Sequence, residues 1–359
     1  MLMLPYVTSS LPGIGGCLRA TPDDFVVEEI ALYPPSGHGQ HLYVNITKVG
    51  LTTKDVQQAL ATAFGVQARD VGFAGMKDKF ARTTQTFSVP VQHADDADFA
   101  TRLDALAAKA SVTVNWTQRH ENKLRAGHLL GNRFTIRVTD LPLPADEAMT
   151  RATAIATALQ RTGLPNYFGP QRFGHDGANV ARGLAVLQRR QYVKDRWLRR
   201  FLISAYQSHL CNDYLARRLD DGHFEHLLTG DVAKKYATGG IFDVEDAAVE
   251  QPRYAAREIS FTAPIFGAKM RPAHAEAGAL EAAVLDAAAV DVDLFARAKI
   301  DGTRRMGRIL VDDLAIDEAG TVDAPALDVR FSLPKGAFAT TVMRELMKVD
   351  LADIPEEDE

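Results

Sequence analysis

VGFAGMKDKFARTTQTFSV, Val71 to Val89, decides how the rest of the chain is read. Gly72 and Gly75 permit tight turns and let another group approach the backbone closely. Lys77, Asp78 and Lys79 follow, one carboxylate between two ammonium groups, ahead of a β-prone run holding Thr83, Thr84, Thr86, Phe87 and Val89. Flanking cations favour the ionised carboxylate, which suits a nucleophile or an electrostatic stabiliser better than a general acid. The plainer alternative for these residues is a turn capped by Asp78 between two solvated lysines.

Upstream, LRATPDDFVVEE (Leu18 to Glu29) reads as a turn at Thr21, Pro22 and Asp23 running into a strand, with Phe25 and Val27 on one face. Leu42, Val44 and Ile46 alternate as in a half-buried strand from His41. Thr53 is the expected N-cap of an amphipathic helix that carries Val56, Leu60 and Phe64 and ends at Gly65. Downstream come an alanine-rich helix over about 94–109 and a strand containing Val112, Val114 and Trp116. Gly131 then turns the chain into a strand with Phe134, Ile136 and Val138, and a helix is expected over about 146–161. NYFGPQRFG, Asn166 to Gly174, packs aromatics, glycines and an arginine more densely than a linker requires. Helix is expected throughout 180–216 and again over about 276–294, and VRFSLPKGAFATTVMREL (Val329 to Leu346) returns to strand period before a last helix. The acidic tail IPEEDE is expected to be disordered.

Five of these segments, in this order, resemble the TruD family of tRNA pseudouridine synthases. The Gly-x-Lys-Asp motif ends on Asp78, with Thr83 and Gln85 where the family has them. Phe25 sits in a Pro-x-Asp-Phe-x-Val segment, and Asn132 and Phe134 form an Asn-x-Phe pair. The Asn166–Gly174 signature varies only at Pro170. The closing motif matches at Leu333, Pro334, Gly336, Phe338, Ala339, Thr340, Arg344 and Glu345, while Ala337 stands where a serine is expected and removes one hydrogen-bonding group. The resemblance runs from about Leu18 to Leu346, and the Asp78, Asn166–Gly174 and Leu333–Glu345 segments are its specific parts.

The resemblance implies an α+β fold: the pseudouridine-synthase core, a mixed, mostly antiparallel sheet with flanking helices, plus a large inserted α/β domain. The catalytic domain is expected to be discontinuous, over 1–162 and 312–359, with the inserted domain at 163–311. It implies isomerisation of a tRNA uridine, typically uridine 13, to pseudouridine by Asp78. Phe25, Phe134 and Phe338 are the implied ring contacts of the uracil and Asn132 a polar one. Lys77, Arg172 and Arg344 are candidate cations beside Asp78; Arg172 suits a phosphate equally well.

The totals agree. At 359 residues, with 46% hydrophobic and 24% charged residues, the chain has the composition of a globular protein long enough for two domains. No apolar run reaches the ~18 residues that span a bilayer, so a cytoplasmic protein with no membrane contact is expected. Two distant cysteines, Cys17 and Cys211, argue against a disulfide framework, and His223–Glu225 lacks the PCxxC that a zinc deaminase needs. Neither a GxGxxG after a strand nor a GxxxxGK[ST] is present, so no cofactor and no metal are expected.

Net charge is −5, yet two segments are basic: five Lys/Arg from Arg119 to Arg137 against Glu121 alone, and six arginines plus Lys194 from Arg182 to Arg200 against Asp195 alone. Such segments fit a grip on phosphates, and equally fit solvated helix faces. With tRNA as the implied partner, no protein partner is implied and a monomer is expected. Two other readings compete: a non-catalytic RNA-binding or RNA-folding protein on the same scaffold, against which the intact Lys77–Asp78 pair argues, and a glycosidase-like enzyme on free nucleosides, which needs paired carboxylates and no basic patches.

Overall fold

Alternating apolar residues build the largest sheet of the computed structural model, which describes residues 4–91, 96–110 and 112–349. These divide into two compact units. One comprises Ile14–Ala156 and Asp312–Gly336; the other comprises 4–13, Thr157–Val311 and 337–349.

The first unit holds strands β1 (Cys17–Leu18), β2 (Phe25–Ala31), β3 (His41–Lys48), β4 (Gly72–Phe73), β5 (Arg82–Pro90), β6 (Val112–His120) and β7 (Leu129–Thr139). Late in the chain β14 (Ala315–Gly320) and β15 (Pro325–Pro334) join them. The order is β14-β15-β7-β2-β5-β3-β6, with β1 beside β7 and β4 beside β5. Only β2 and β5 run parallel, so the sheet is mixed and mostly antiparallel, as the family resemblance implies. That parallel pair matters: Val26 lies opposite Arg82 and Val27 opposite Thr83, which delivers the loop before β5 to the start of β2.

Helices α1 (Thr53–Phe64) and α2 (Asp96–Lys109) cover this sheet with Val56, Leu60, Phe99 and Leu103, buried against Leu42, Val44, Ile46, Phe87 and Val89. The start of α2 expected at Ala94 lies outside the described residues. The N-cap of α1 is Thr52, not Thr53: the Thr52 hydroxyl accepts from Asp55 N at 3.1 Å and Asp55 answers on Thr52 N at 2.8 Å. Gly131 does not open β7, which already starts at Leu129; it lies inside the strand, where a Cβ would sit 2.0 Å from the Leu333 carbonyl oxygen and only glycine lets β15 approach. A further helix, α3 (Ala145–Thr162), contains the point at which the two units divide.

The second unit is organised around α5 (Arg196–Asp220), preceded by α4 (Ala178–Leu187). The helix expected to be continuous over 180–216 is broken between them, where Arg189 adopts φ +58° and Asp195 caps the next start by accepting from Leu198 N at 2.7 Å. Strands β9 (Val232–Lys235), β10 (Ile241–Asp243), β11 (Ile259–Ile265) and β12 (Thr303–Met306) form an antiparallel sheet in the order β10-β9-β11-β12. Strand β8 (Leu164–Pro165) pairs with β13 (Arg308–Ile309). Helix α6 (Ala247–Ala255), interrupted in sequence by Pro252, is not anticipated by the pattern. The long alanine-rich helix expected over 276–294 is two, α7 (Ala275–Ala287) and α8 (Val292–Arg297), divided where Ala289 takes φ +51° and Asp291 caps α8. Helix α9 (Ala339–Met347) closes the unit.

Its core sets Tyr206, Leu210, Cys211, Tyr214 and Leu215 of α5 against Phe224, Tyr254, Phe261 and Phe295. Inside it Arg218 makes a two-pronged bond to Asp231 at 2.8 and 2.7 Å, with neither side chain exposed. Among the described residues no helix is long and apolar enough to cross a membrane. The tail after Asp350 lies outside the described residues.

Candidate active site

The loop between β4 and β5 is held from beneath by buried polar side chains. Lys48, at the end of β3, is buried and aims its ammonium at three carbonyls: Leu51 at 2.6 Å, Asp78 at 2.7 Å and Lys77 at 3.2 Å. A buried ammonium without such acceptors is costly, so these bonds fix the loop as much as they satisfy the lysine. Thr53 is the second support. Its hydroxyl accepts from Lys77 N at 2.9 Å and donates to Gln85 Oε1 at 2.9 Å, and Gln85 Nε2 donates to the Gly75 carbonyl at 3.0 Å. Placing the cap at Thr52 therefore frees Thr53 for the loop.

Lys77 points inward. Its ammonium meets Glu29 Oε2 at 2.9 Å in a pair whose side chains are both buried. The cation on Asp78 is Arg19, which the sequence pattern did not single out: Nη2 donates to Asp78 Oδ2 at 2.7 Å, with the arginine side chain 5% exposed and the aspartate 38% exposed. Asp78 Oδ1 accepts no hydrogen bond from any described residue. Arg19 adopts φ +60° and lays its guanidinium over the Phe25 ring, 4.2 Å from the centroid. Its Nε and Nη1 have no hydrogen-bond partner among the described residues.

Phe25 meets Phe134 edge to face at 6.4 Å, and Phe134 stacks on Phe331 of β15 at 5.3 Å. The Phe134 ring is 7% exposed, so it backs Phe25 within the sheet rather than opening a broad face to solvent. Asn132, opposite Glu29 on one side and Leu333 on the other, carries a buried Oδ1 with no partner among the described residues.

The second unit orders the Asn166–Gly174 segment. Asn166 Nδ2 donates to the Met306 carbonyl at 2.9 Å, while Arg305 binds both its backbone carbonyl, at 2.9 Å, and its side-chain oxygen. Phe168 N donates to Asn212 Oδ1 at 2.8 Å, and Asn212 Nδ2 returns a bond to the Phe168 carbonyl at 3.0 Å. Arg172 reaches Ser208 Oγ at 3.0 Å and Ser204 Oγ, both on α5. The Arg305 guanidinium lies 4.0 Å over Phe168 and 5.9 Å from Phe338, and those two rings are 5.9 Å apart. Burial pulls the Arg305 pKa down to about 10, and the neighbouring Arg172 charge acts in the same direction. Arg344 is tied elsewhere: it donates to the Pro5 carbonyl at 3.2 Å and the Leu4 carbonyl and covers the Tyr6 ring at 3.8 Å. Glu345 beside it accepts from Val7 N, Thr8 N and the Thr8 hydroxyl.

Of the eight residues chosen from sequence, Phe25, Lys77, Asp78, Asn132 and Phe134 belong to the first unit and Arg172, Phe338 and Arg344 to the second. Arg19, Lys48, Glu29 and Arg305 were missed, and only the lone Arg19 ahead of a Thr-Pro-Asp turn gave any signal. Among the described residues no cluster of three or more His, Cys, Asp or Glu is placed to hold a metal ion. What remains is a partly exposed carboxylate, one oxygen bound to a guanidinium and one free, beside a phenylalanine ring.

The model of the family described as tRNA pseudouridine synthase D (TruD) matches residues 2–193 and 191–346. A tRNA pseudouridine synthase D from Anaeromyxobacter dehalogenans is 47% identical over 366 residues, covering 100% of both chains. One from Thermus thermophilus is 40% identical over 97% of this chain and 93% of its own. The crystal structure described as TruD from Methanosarcina mazei aligns with TM-score 0.79 at 24% identity over 96% of each chain, which shows the shared fold. The chain belongs to the TruD family of tRNA pseudouridine synthases, a family of isomerases.

Proposed function

We propose that this protein converts a tRNA uridine, by family resemblance uridine 13, to pseudouridine, and that Asp78 is the reacting carboxylate. The observation that carries the reading is the Asp78 side chain itself, open on one oxygen and held on the other by a buried Arg19 at 2.7 Å. A guanidinium in that position balances the carboxylate's charge and fixes its orientation through a charge-assisted hydrogen bond. Two routes use the same group. Either the carboxylate adds to the anomeric carbon as the N-glycosidic bond breaks, or it takes a neighbouring proton so that elimination releases the base. In both, the uracil turns and rejoins through C5, the C5 proton leaves, and the freed N1 gains a proton, so atoms balance without an outside reagent.

Phe25 takes the ring contact to the detached base from the family resemblance. Its ring is 3% exposed, covered by the Arg19 guanidinium and backed by Phe134, so the base meets it only once Arg19 moves aside. Asn132 holds a buried amide oxygen, unpaired among the described residues, for a polar edge. Phe338 keeps the role that the resemblance gives it, a ring against uracil. The reading carries with it a monomeric cytoplasmic enzyme and an inserted domain over 163–311. Release of tritium from tRNA labelled at uridine C5 tests it: the unaltered protein releases label and Asp78→Asn does not, with RNA binding and melting temperature kept. Release by Asp78→Asn at the unaltered rate would overturn the assignment.

A further inference from the structure

We infer that the start of α5 is a second RNA-binding surface, on which Trp197 stacks against an unpaired nucleotide of the RNA substrate; this rests on the reading of the protein as acting on RNA. Trp197 is 63% exposed and stacks on Phe201, one helical turn on, at 5.4 Å with the rings 6° from parallel. Its other face has no ring partner among the described residues. Tyr192, just before the helix, is 88% exposed. Two large aromatic side chains left this open need a partner for their faces, and every base offers one.

The charge around them selects the partner. Arg189, Arg190, Lys194, Arg196, Arg199 and Arg200 are all exposed, and none makes an ion pair among the described residues. Three of these arginines stand in the first turns of α5, where the helix dipole is positive and no acidic residue lies within the first turn beyond the Asp195 cap. Asp195, the one carboxylate nearby, is occupied in capping Leu198 N at 2.7 Å. Cations at that end weaken the helix, so their clustering there answers to something other than folding. A polyanion with exposed rings meets both features at once.

The platform is also anchored. Arg172 lies 5.8 Å from the Phe201 ring and 5.4 Å from Phe168, and Arg305 lies 4.0 Å from Phe168, so guanidinium groups and rings alternate behind Trp197. A base landing on Trp197 extends a stack that is already ordered, which lowers the entropic cost of binding.

The test uses the full chain. Trp116 and Trp197 are the two tryptophans, so Trp116→Phe leaves Trp197 as the reporter. Unmodified tRNA and a single-stranded oligonucleotide should remove most of its emission, whereas fully paired RNA and heparin, bound through charge, should not. Trp197→Ala should weaken tRNA binding about tenfold and Trp197→Phe much less. Arg199→Glu should lower the salt dependence of binding by about one in the slope of log K against log salt. It should also raise the melting temperature, because an anion then faces the dipole. Emission from Trp197 that stays constant while tRNA is bound, or that heparin quenches equally, overturns the inference. Tritium release measured on the same samples separates the two readings: normal release with an unquenched Trp197 removes only the platform, and quenching without release removes only the enzymatic assignment.

Discussion

Two rows of rings invite comparison. In the first unit Arg19, Phe25, Phe134 and Phe331 follow one another, every ring buried, with the terminal guanidinium holding Asp78. In the second, Phe338, Phe168, Phe201 and Trp197 are interleaved with Arg305 and Arg172, and exposure rises to 63% at Trp197. The chemical content is nearly the same; the burial is opposite. A buried row contributes packing energy and rigidity, so its rings position whatever sits at its end. A half-exposed row with cations between the rings leaves apolar area and positive charge for a ligand.

The sharpest way to break the contrast is at the end of the buried row. Asp78→Asn keeps the shape and removes the charge, and conversion should fall by at least about a thousandfold with the melting temperature unchanged. Next is the row itself. Phe134→Ala removes a ring packed between two others and should cost about 3–5 kcal/mol of stability, read from denaturant unfolding. Phe168→Ala, in the half-exposed row, should cost about 1–2 kcal/mol. Equal losses at the two sites would mean that the difference in burial carries no mechanical meaning.

Lys77→Met probes the support of the loop. It leaves Glu29 buried and uncompensated and should destabilise by about 3–5 kcal/mol, while the double change Lys77→Met with Glu29→Leu should recover most of it. Failure of the double variant to recover would show that the pair sets the loop geometry beyond its charge balance.

What the sequence made legible follows from where each signal is written. Alternation at Leu42, Val44 and Ile46 and at Phe25 and Val27 is local, and both strands are where it points. The Asp78 loop was found because its residues are contiguous. Arg19 was not, because its partner stands fifty-nine positions away and one arginine has no period. Thr52 and Thr53 are chemically alike at a helix start; only the contact of Thr53 with Lys77 N and Gln85, from outside the helix, separates cap from support. The breaks at Arg189 and Ala289 were hidden because neither is a glycine, although both adopt left-handed backbone. The alanine-rich run offered no apolar stripe by which a break would show as a change of phase.

The smallest expected effect sits on the motif of the second unit. His209 on α5 packs edge to face against Phe173 at 6.4 Å, and its pKa is lowered from the ordinary value chiefly by burial, with Asp213 pulling the other way. Burial disfavours the charged ring in the folded state while the unfolded chain protonates freely below about 6.5. Its contribution to stability is therefore present above that value and is lost as pH falls through the depressed folded pKa. His41 in the first unit is lowered by burial too, then by the charges of Lys123 and His120, so acid should weaken both units. His209→Gln should flatten the fall in melting temperature between about pH 7 and 5 without removing it, since His41 still titrates. If His209→Gln leaves the profile unchanged, Asp213 offsets the burial completely. The packing of Phe173 is then indifferent to protonation, and the motif in this unit is held by its hydrogen bonds to Met306, Arg305, Asn212, Ser204 and Ser208.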